Sequence, residues 1–269
     1  MKLGLAIAPA SATPLAFVVF REKLDTAIRK AWEFGYDGVE LALVNAEEVN
    51  VAAIKNLIKK YSIEVPLIST GRVFSEAHLS FTHLEKNMRD EAIQTMKDIV
   101  EVASQFQADV NVGRVRGDIP ENRPREEAEE RFFSAMIECS GFAGTRNVKL
   151  LLEPVNRYET NFINSLEEGI DIVEKLNREN VKLMPDTFHM NIEDVSIVAS
   201  LKKAGNKIGY VHFADSNRWA PGQGHLDFSQ IIASLKEIGY DGYVTVEILS
   251  NPNPDEAVKM AISFLRGII

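Results

Sequence analysis

Four short apolar runs in the second half of the chain each end in a residue able to bind a metal ion. They are Val148-Lys-Leu-Leu-Leu-Glu153, Val181-Lys-Leu-Met-Pro-Asp186, Ile208-Gly-Tyr-Val-His212 and Tyr243-Val-Thr-Val-Glu247. A carboxylate or imidazole closing an apolar strand is costly to bury without a partner. The gaps between the four are 33, 26 and 35 residues, each the length of a strand, a helix and two connecting loops. That spacing predicts one ring of groups at one end of a parallel sheet. Three carboxylates and one imidazole suit a single divalent ion per subunit, Mn²⁺ by preference and Mg²⁺ or Co²⁺ as alternatives, better than a thiolate-preferring zinc site. Taken singly, each residue has a plainer explanation, since a strand-end Glu often pairs with an Arg and a lone His often sits satisfied in a core. Four at consecutive strand ends outweigh that explanation.

A second set follows the first. Glu159 lies in Glu153-Pro-Val-Asn-Arg-Tyr-Glu159, His189 in Asp186-Thr-Phe-His189, and Arg218 in His212-Phe-Ala-Asp-Ser-Asn-Arg218. All three fall in loops above the ring, where a substrate's hydroxyls would lie.

The elements that must position these residues alternate along the whole chain. Residues 2–8 read as a buried strand of a parallel sheet. Arg21 to Phe34 has helical periodicity and stops at Gly35, a good left-handed terminator. The next strands are 37–43, 64–70 and 109–115, separated by helices at 47–61 and about 85–106 and by a loop from Gly71 to His83. A charged loop, Arg116 to Pro124, leads into a helix reaching about Ala143. The four site-bearing strands then alternate with helices around 165–178, 195–204, 229–238 and 254–269. Eight strand–helix units in 269 residues give about 34 residues each, the scale of a (β/α)₈ TIM barrel of roughly 250 residues. No linker divides residues 1–269, so a single α/β barrel domain is expected. A doubly wound open sheet would carry a Gly-rich phosphate turn after its first strand, and Ala8-Pro-Ala-Ser-Ala-Thr-Pro14 is not one.

Phe34-Gly-Tyr-Asp-Gly-Val-Glu40 echoes Ile238-Gly-Tyr-Asp-Gly-Tyr-Val-Thr-Val-Glu247. Glu40 lies less far along its strand than Glu247, which reads as a buried structural partner rather than a ligand. Asp227-Phe-Ser-Gln230 reads as a helix N-cap with a capping-box partner. Trp219 either lines the pocket or makes a subunit contact.

Composition bounds the function. With 45% hydrophobic and 26% charged residues the chain is an ordinary globular protein. No apolar run approaches the roughly 20 residues of a membrane span, and Met1-Lys-Leu-Gly-Leu-Ala-Ile-Ala starts like a strand rather than a signal peptide. Cys139 is the one cysteine; it sits in a helical stretch as a small buried hydrophobe and fits a reducing, cytoplasmic location. A net charge of −9 argues against nucleic acid as a partner, which needs an excess of Lys and Arg.

The motifs Glu-Pro-Val-Asn-Arg-Tyr-Glu, Asp-Thr-Phe-His-Met-Asn, His-Phe-Ala-Asp-Ser-Asn-Arg and the closing Val-Glu-Ile resemble those of the ketose 3-epimerases (D-tagatose/D-psicose 3-epimerase type) of the xylose-isomerase-like barrels. The resemblance runs through most of the chain and is strongest from Leu150 to Glu247. It implies that Glu153, Asp186, His212 and Glu247 hold the metal, that Glu159, His189 and Arg218 bind the sugar near its carbonyl end, and that the protein is a homodimer or homotetramer.

Inverting C3 of a ketose means removing the proton beside the C2 carbonyl and returning it to the opposite face, which needs an acid–base group on each side. Glu153 and Glu247 are the expected pair of catalytic residues. Arg72, after the third strand, and Arg116, after the fourth, fall on the same face. They either read an anionic tail, as in a keto-sugar acid, or pair with nearby acids such as Asp118, Glu121 and Glu126. Other readings remain open. An aldose–ketose isomerase acting on hydroxypyruvate or a pentose would use the same site, and a polyol dehydratase the same barrel. An endonuclease would want more histidines and a basic face, and a non-catalytic sugar-binding barrel would not need two glutamates.

Overall fold

A computed structural model describes residues 1–14 and 17–269. Its sheet strands are β1 (Lys2–Ala8), β2 (Gly38–Ala42), β3 (Glu64–Ser69), β4 (Asp109–Val112), β5 (Leu150–Leu152), β6 (Val181–Leu183), β7 (Val211–Phe213) and β8 (Tyr243–Val246). Each pairs in parallel with its neighbours in the order β6-β5-β4-β3-β2-β1-β8-β7. Parallel bridges Leu183–Ile208 and Asp186–His212 join the two ends of that path and close the barrel. The strands are short and almost wholly buried, as a sheet covered on its outer face by helices requires.

Eight helices cover the sheet: α1 (Leu24–Phe34), α2 (Val51–Tyr61), α3 (Lys86–Ser104), α4 (Arg125–Gly144), α5 (Leu166–Leu176), α6 (Ile197–Ala204), α7 (Phe228–Glu237) and α8 (Pro254–Arg266). Each presents one apolar stripe inward; in α8 this is Ala257, Val258, Ala261, Ile262 and Leu265, the helical repeat of a core-facing surface. The ends carry local signals. Ser165 and Glu168 form a reciprocal capping box at α5, and Asn253 caps α8 with Pro254 at its first position. Asp227 caps α7 by accepting from the Gln230 N–H, but the Gln230 side chain returns to the Asp227 carboxylate rather than to its backbone. Gly35 closes α1 at φ +90°, where a side chain would be strained.

Several expectations shift. Arg21 lies outside α1: Phe20–Arg21 instead pairs in parallel with Ile7–Ala8. The connection from Gly71 to His83 contains a short helix, Gly71–Ser75. The fourth strand ends at Val112, because the chain turns into a 3₁₀ helix over Arg114–Arg116. A further short helix, Thr187–Glu193, starts directly from Asp186, whose side chain accepts from the Phe188 N–H at 2.7 Å. Among the described residues no helix is long and apolar enough to cross a membrane.

Candidate active site

Glu153 follows β5, Asp186 stands just past β6, His212 lies within β7 and Glu247 follows β8. All four are at the C-terminal mouth of the barrel, where barrel enzymes place their chemistry. Closure through the Asp186–His212 bridge is what brings the ring together. The His212 Nδ1 lies 3.6 Å from a Glu153 oxygen, 4.0 Å from Asp186 Oδ2 and 3.8 Å from a Glu247 oxygen. Ligand atoms of Glu153, Asp186 and His212 all lie within 4.8 Å of one another.

Residues outside the ring fix its geometry. Glu40, deep in β2, pairs with His212 Nε2 at 2.7 Å, which leaves Nδ1 facing the three acids. Glu40 and Glu247 could also form a trio around His212. However, Glu40 occupies the opposite ring nitrogen, so it orients the imidazole rather than sharing its ion. The Asn111 side chain, from β4, donates to Glu153 at 2.8 Å. A Cβ at Gly113 would lie 2.7 Å from the Glu153 carboxylate and 3.0 Å from the Asn111 amide oxygen, so a side chain there would displace the ring's Glu153.

Two buried atoms aimed into the ring, Asp186 Oδ2 and His212 Nδ1, have no hydrogen-bond partner among the described residues. An orphaned anion and an orphaned ring nitrogen together are the donor set that a hard divalent cation completes. The acids bear the same mark. Burial raises Asp186 to about 6 and Glu247 to about 7, the latter despite Arg218 and His212. Burial also opposes ionisation of Glu153, but the nearby His212, then His189 and the hydrogen bond from Asn111, hold it at about 2. Crowded carboxylates of this kind ionise together only when a cation compensates them. The residues therefore fit a divalent ion.

Above the ring, Arg218 reaches a Glu247 oxygen at 2.6 Å and Glu159 at 3.2 Å. Its guanidinium is held between the Phe17 ring at 3.9 Å and the Phe188 ring at 4.8 Å. His189 lies 3.8 Å from Asp186 and 2.7 Å from the Asn156 amide. Burial, then the charge of Arg218, push its pKa well down, so the ring is neutral. Glu153, Glu159, His189, His212, Arg218 and Glu247 line one cavity of about 210 Å³, the space of one small molecule; Asp186 sits beneath it.

Arg72 and Arg116, for which the sequence leaves an anionic tail and internal pairing both open, present no free donors to the cavity. Arg72 uses all five of its N–H groups internally: on Glu76 at 2.9 and 2.8 Å, on Glu48 at 2.6 and 3.1 Å, and on the Ala42 carbonyl at 3.0 Å. Arg116 is fully buried and donates to the carbonyls of Phe162, Gly113, Glu153 and Ile163 at 2.8–3.0 Å. Neither pairs with Asp118, Glu121 or Glu126. Arg72 and Arg218 line the cavity with their charges paired internally; a third arginine of its wall is Arg114, part of the same Gly113-Arg-Val-Arg116 segment. Trp219 is part-exposed and outside the cavity wall, where Phe17 stands instead. Asn111 and Phe17 lie in none of the motifs, the signal for Asn111 being a polar residue inside the apolar run of β4; Asn156 lies within Glu153-Pro-Val-Asn-Arg-Tyr-Glu159 but is not singled out there.

Residues 28–268 match the model of the xylose isomerase-like TIM barrel family. The chain belongs to that family. It is 31% identical over 242 residues to an L-ribulose 3-epimerase of Methylomonas sp. (strain DH-1), covering 90% of this chain and 84% of that one. Over 118 residues it is 40% identical to a D-psicose 3-epimerase of Ruminiclostridium cellulolyticum, covering 44% of this chain and 40% of the relative. A crystal structure of a Methylomonas D-allulose 3-epimerase in complex with D-allulose superposes with a TM-score of 0.84 at 26% identity, covering 100% of this chain and 97% of the other. Ketose 3-epimerases are isomerase-class enzymes.

Proposed function

We propose that this protein is a divalent-metal-dependent epimerase inverting C3 of a ketose or keto-sugar acid. The observation that carries the reading is the ring itself. Glu153, Asp186 and Glu247 converge within 3.6–4.0 Å of one unpartnered imidazole nitrogen, in a chain whose relatives are ketose 3-epimerases. Glu153, Asp186, His212 and Glu247 would hold the ion. When bound, a divalent ion would supply Lewis-acid stabilisation of the negative charge that develops on the sugar; Mn²⁺ is the favoured ion, with Mg²⁺ or Co²⁺ as alternatives.

The side chains do the rest. Glu153 and Glu247 come from β5 and β8, with two strands between them, and reach the centre from different parts of the ring. One takes the C3 proton, leaving an enediolate, and the other returns a proton to the opposite face. Arg218 holds Glu247 and Glu159 in place. His189, neutral and with Nδ1 turned to the Asn156 amide, carries its hydrogen on Nε2, the tautomer this network favours. That hydrogen is available to a substrate oxygen.

The test is to strip the metal, restore Mn²⁺, and incubate the protein in D₂O with D-tagatose, D-psicose, D-fructose and a keto-hexonate. Metal-dependent deuterium at C3, with the C3 epimer appearing, supports the proposal. Deuterium at C1 with an aldose product would replace it by an aldose–ketose isomerase.

A further inference from the structure

Three arginines line the cavity, and only one lacks carboxylate partners. Arg72 is held by Glu48 and Glu76, and Arg218 by Glu159 and Glu247. Arg114 makes no ion pair with a described residue, and its buried Nε has no hydrogen-bond partner among them. The guanidinium stacks over the Phe74 ring at 4.5 Å, which fixes its plane while leaving its edge free. Ser75 follows Phe74 in the same short helix, and Ser75 and Ser69 are also in the cavity wall. A guanidinium over an aromatic ring with unused N–H groups, in a cavity that hydroxyls also line, suits a planar or tetrahedral oxyanion. A cavity whose other charged walls are paired internally has one positive charge left for its ligand.

We propose that Arg114 binds an anionic group on the substrate, remote from the reacting carbons, so that the preferred substrate is an anionic ketose rather than a neutral one. This inference rests on the epimerase reading for the reaction but not for the binding. The shared chemistry is a terminal oxyanion, either the carboxylate of a keto-sugar acid or the phosphate of a ketose phosphate. Comparing the two identifies the source.

Calorimetry on the metal-loaded protein should give tighter binding of a keto-hexuronate or a ketohexose 6-phosphate than of D-fructose. The anionic-to-neutral ratio should fall about 10- to 100-fold in Arg114→Ala, the worth of a charge-assisted hydrogen bond. Arg114→Lys should restore part of it. The same ratio of kcat/KM should follow, mainly through KM. Equal binding of neutral and anionic ketoses by the wild type, or an unchanged ratio in Arg114→Ala, overturns the inference. If anionic sugars bind through Arg114 but no ketose exchanges hydrogen at C3, the reaction assignment fails and the anion site stands. If neutral ketoses epimerise and anionic ones bind no better, the reverse holds.

Discussion

Arg116→Lys separates a buried scaffold residue from a substrate contact. In the native chain one fully buried guanidinium satisfies four backbone carbonyls, those of Gly113, Glu153, Phe162 and Ile163. They come from three segments, and Ile163 is held at φ +60°, a conformation rare for a β-branched residue. Lysine offers three hydrogens from a single point and cannot span that set. Two carbonyls left dry cost about 1–3 kcal/mol each, or about 2–6 kcal/mol together. At roughly 2–4 °C per kcal/mol for a domain of this order, Tm should fall by about 5–20 °C. Arg116→Ala strands all four, a loss comparable to the whole stability of a typical domain of about 5–15 kcal/mol, and should not accumulate as folded protein. The assay is thermal unfolding followed by circular dichroism, alongside kinetics on one neutral and one anionic ketose. If Arg116→Lys kept the native Tm while selectively losing efficiency on the anionic sugar, Arg116 would face the substrate and the buried geometry would be wrong.

Further expectations follow from the same geometry. Glu40→Gln should weaken Mn²⁺ binding about 10-fold and Glu40→Ala nearer 100-fold, the usual range for a group that orients a metal-binding imidazole; titration calorimetry measures it, and unchanged affinity would mean Glu40 does not hold His212. Glu247→Gln should lower the C3 exchange rate by about 10²–10⁴ while sugar still binds; an intact rate would exclude the two-carboxylate mechanism. Cys139 is buried, and burial pushes its thiol up to about 12, so it should resist alkylation at pH 8 until the protein is unfolded, as mass spectrometry would show.

The barrel was legible because it is written in repeats of local pattern. Apolar strands, amphipathic helices and caps such as Ser165 and Gly35 recur at a near-constant interval, and each depends on neighbours within a few residues. The ring was legible for the same reason: Glu153, Asp186, His212 and Glu247 close four of those strands, and strand ends in a parallel barrel share one rim. What tertiary structure decided is which side chains meet across distance or after a change of backbone. Glu40 touches His212 across 172 residues, and nothing near either names the other. Arg114 and Arg116 would share a face if β4 continued to Val115, since alternate residues of a strand point the same way. The strand instead ends at Val112 and a 3₁₀ turn follows, where residues two apart point to different sides. One arginine therefore enters the cavity and the other is sealed in the core, a distinction set by where the strand's pairing stops.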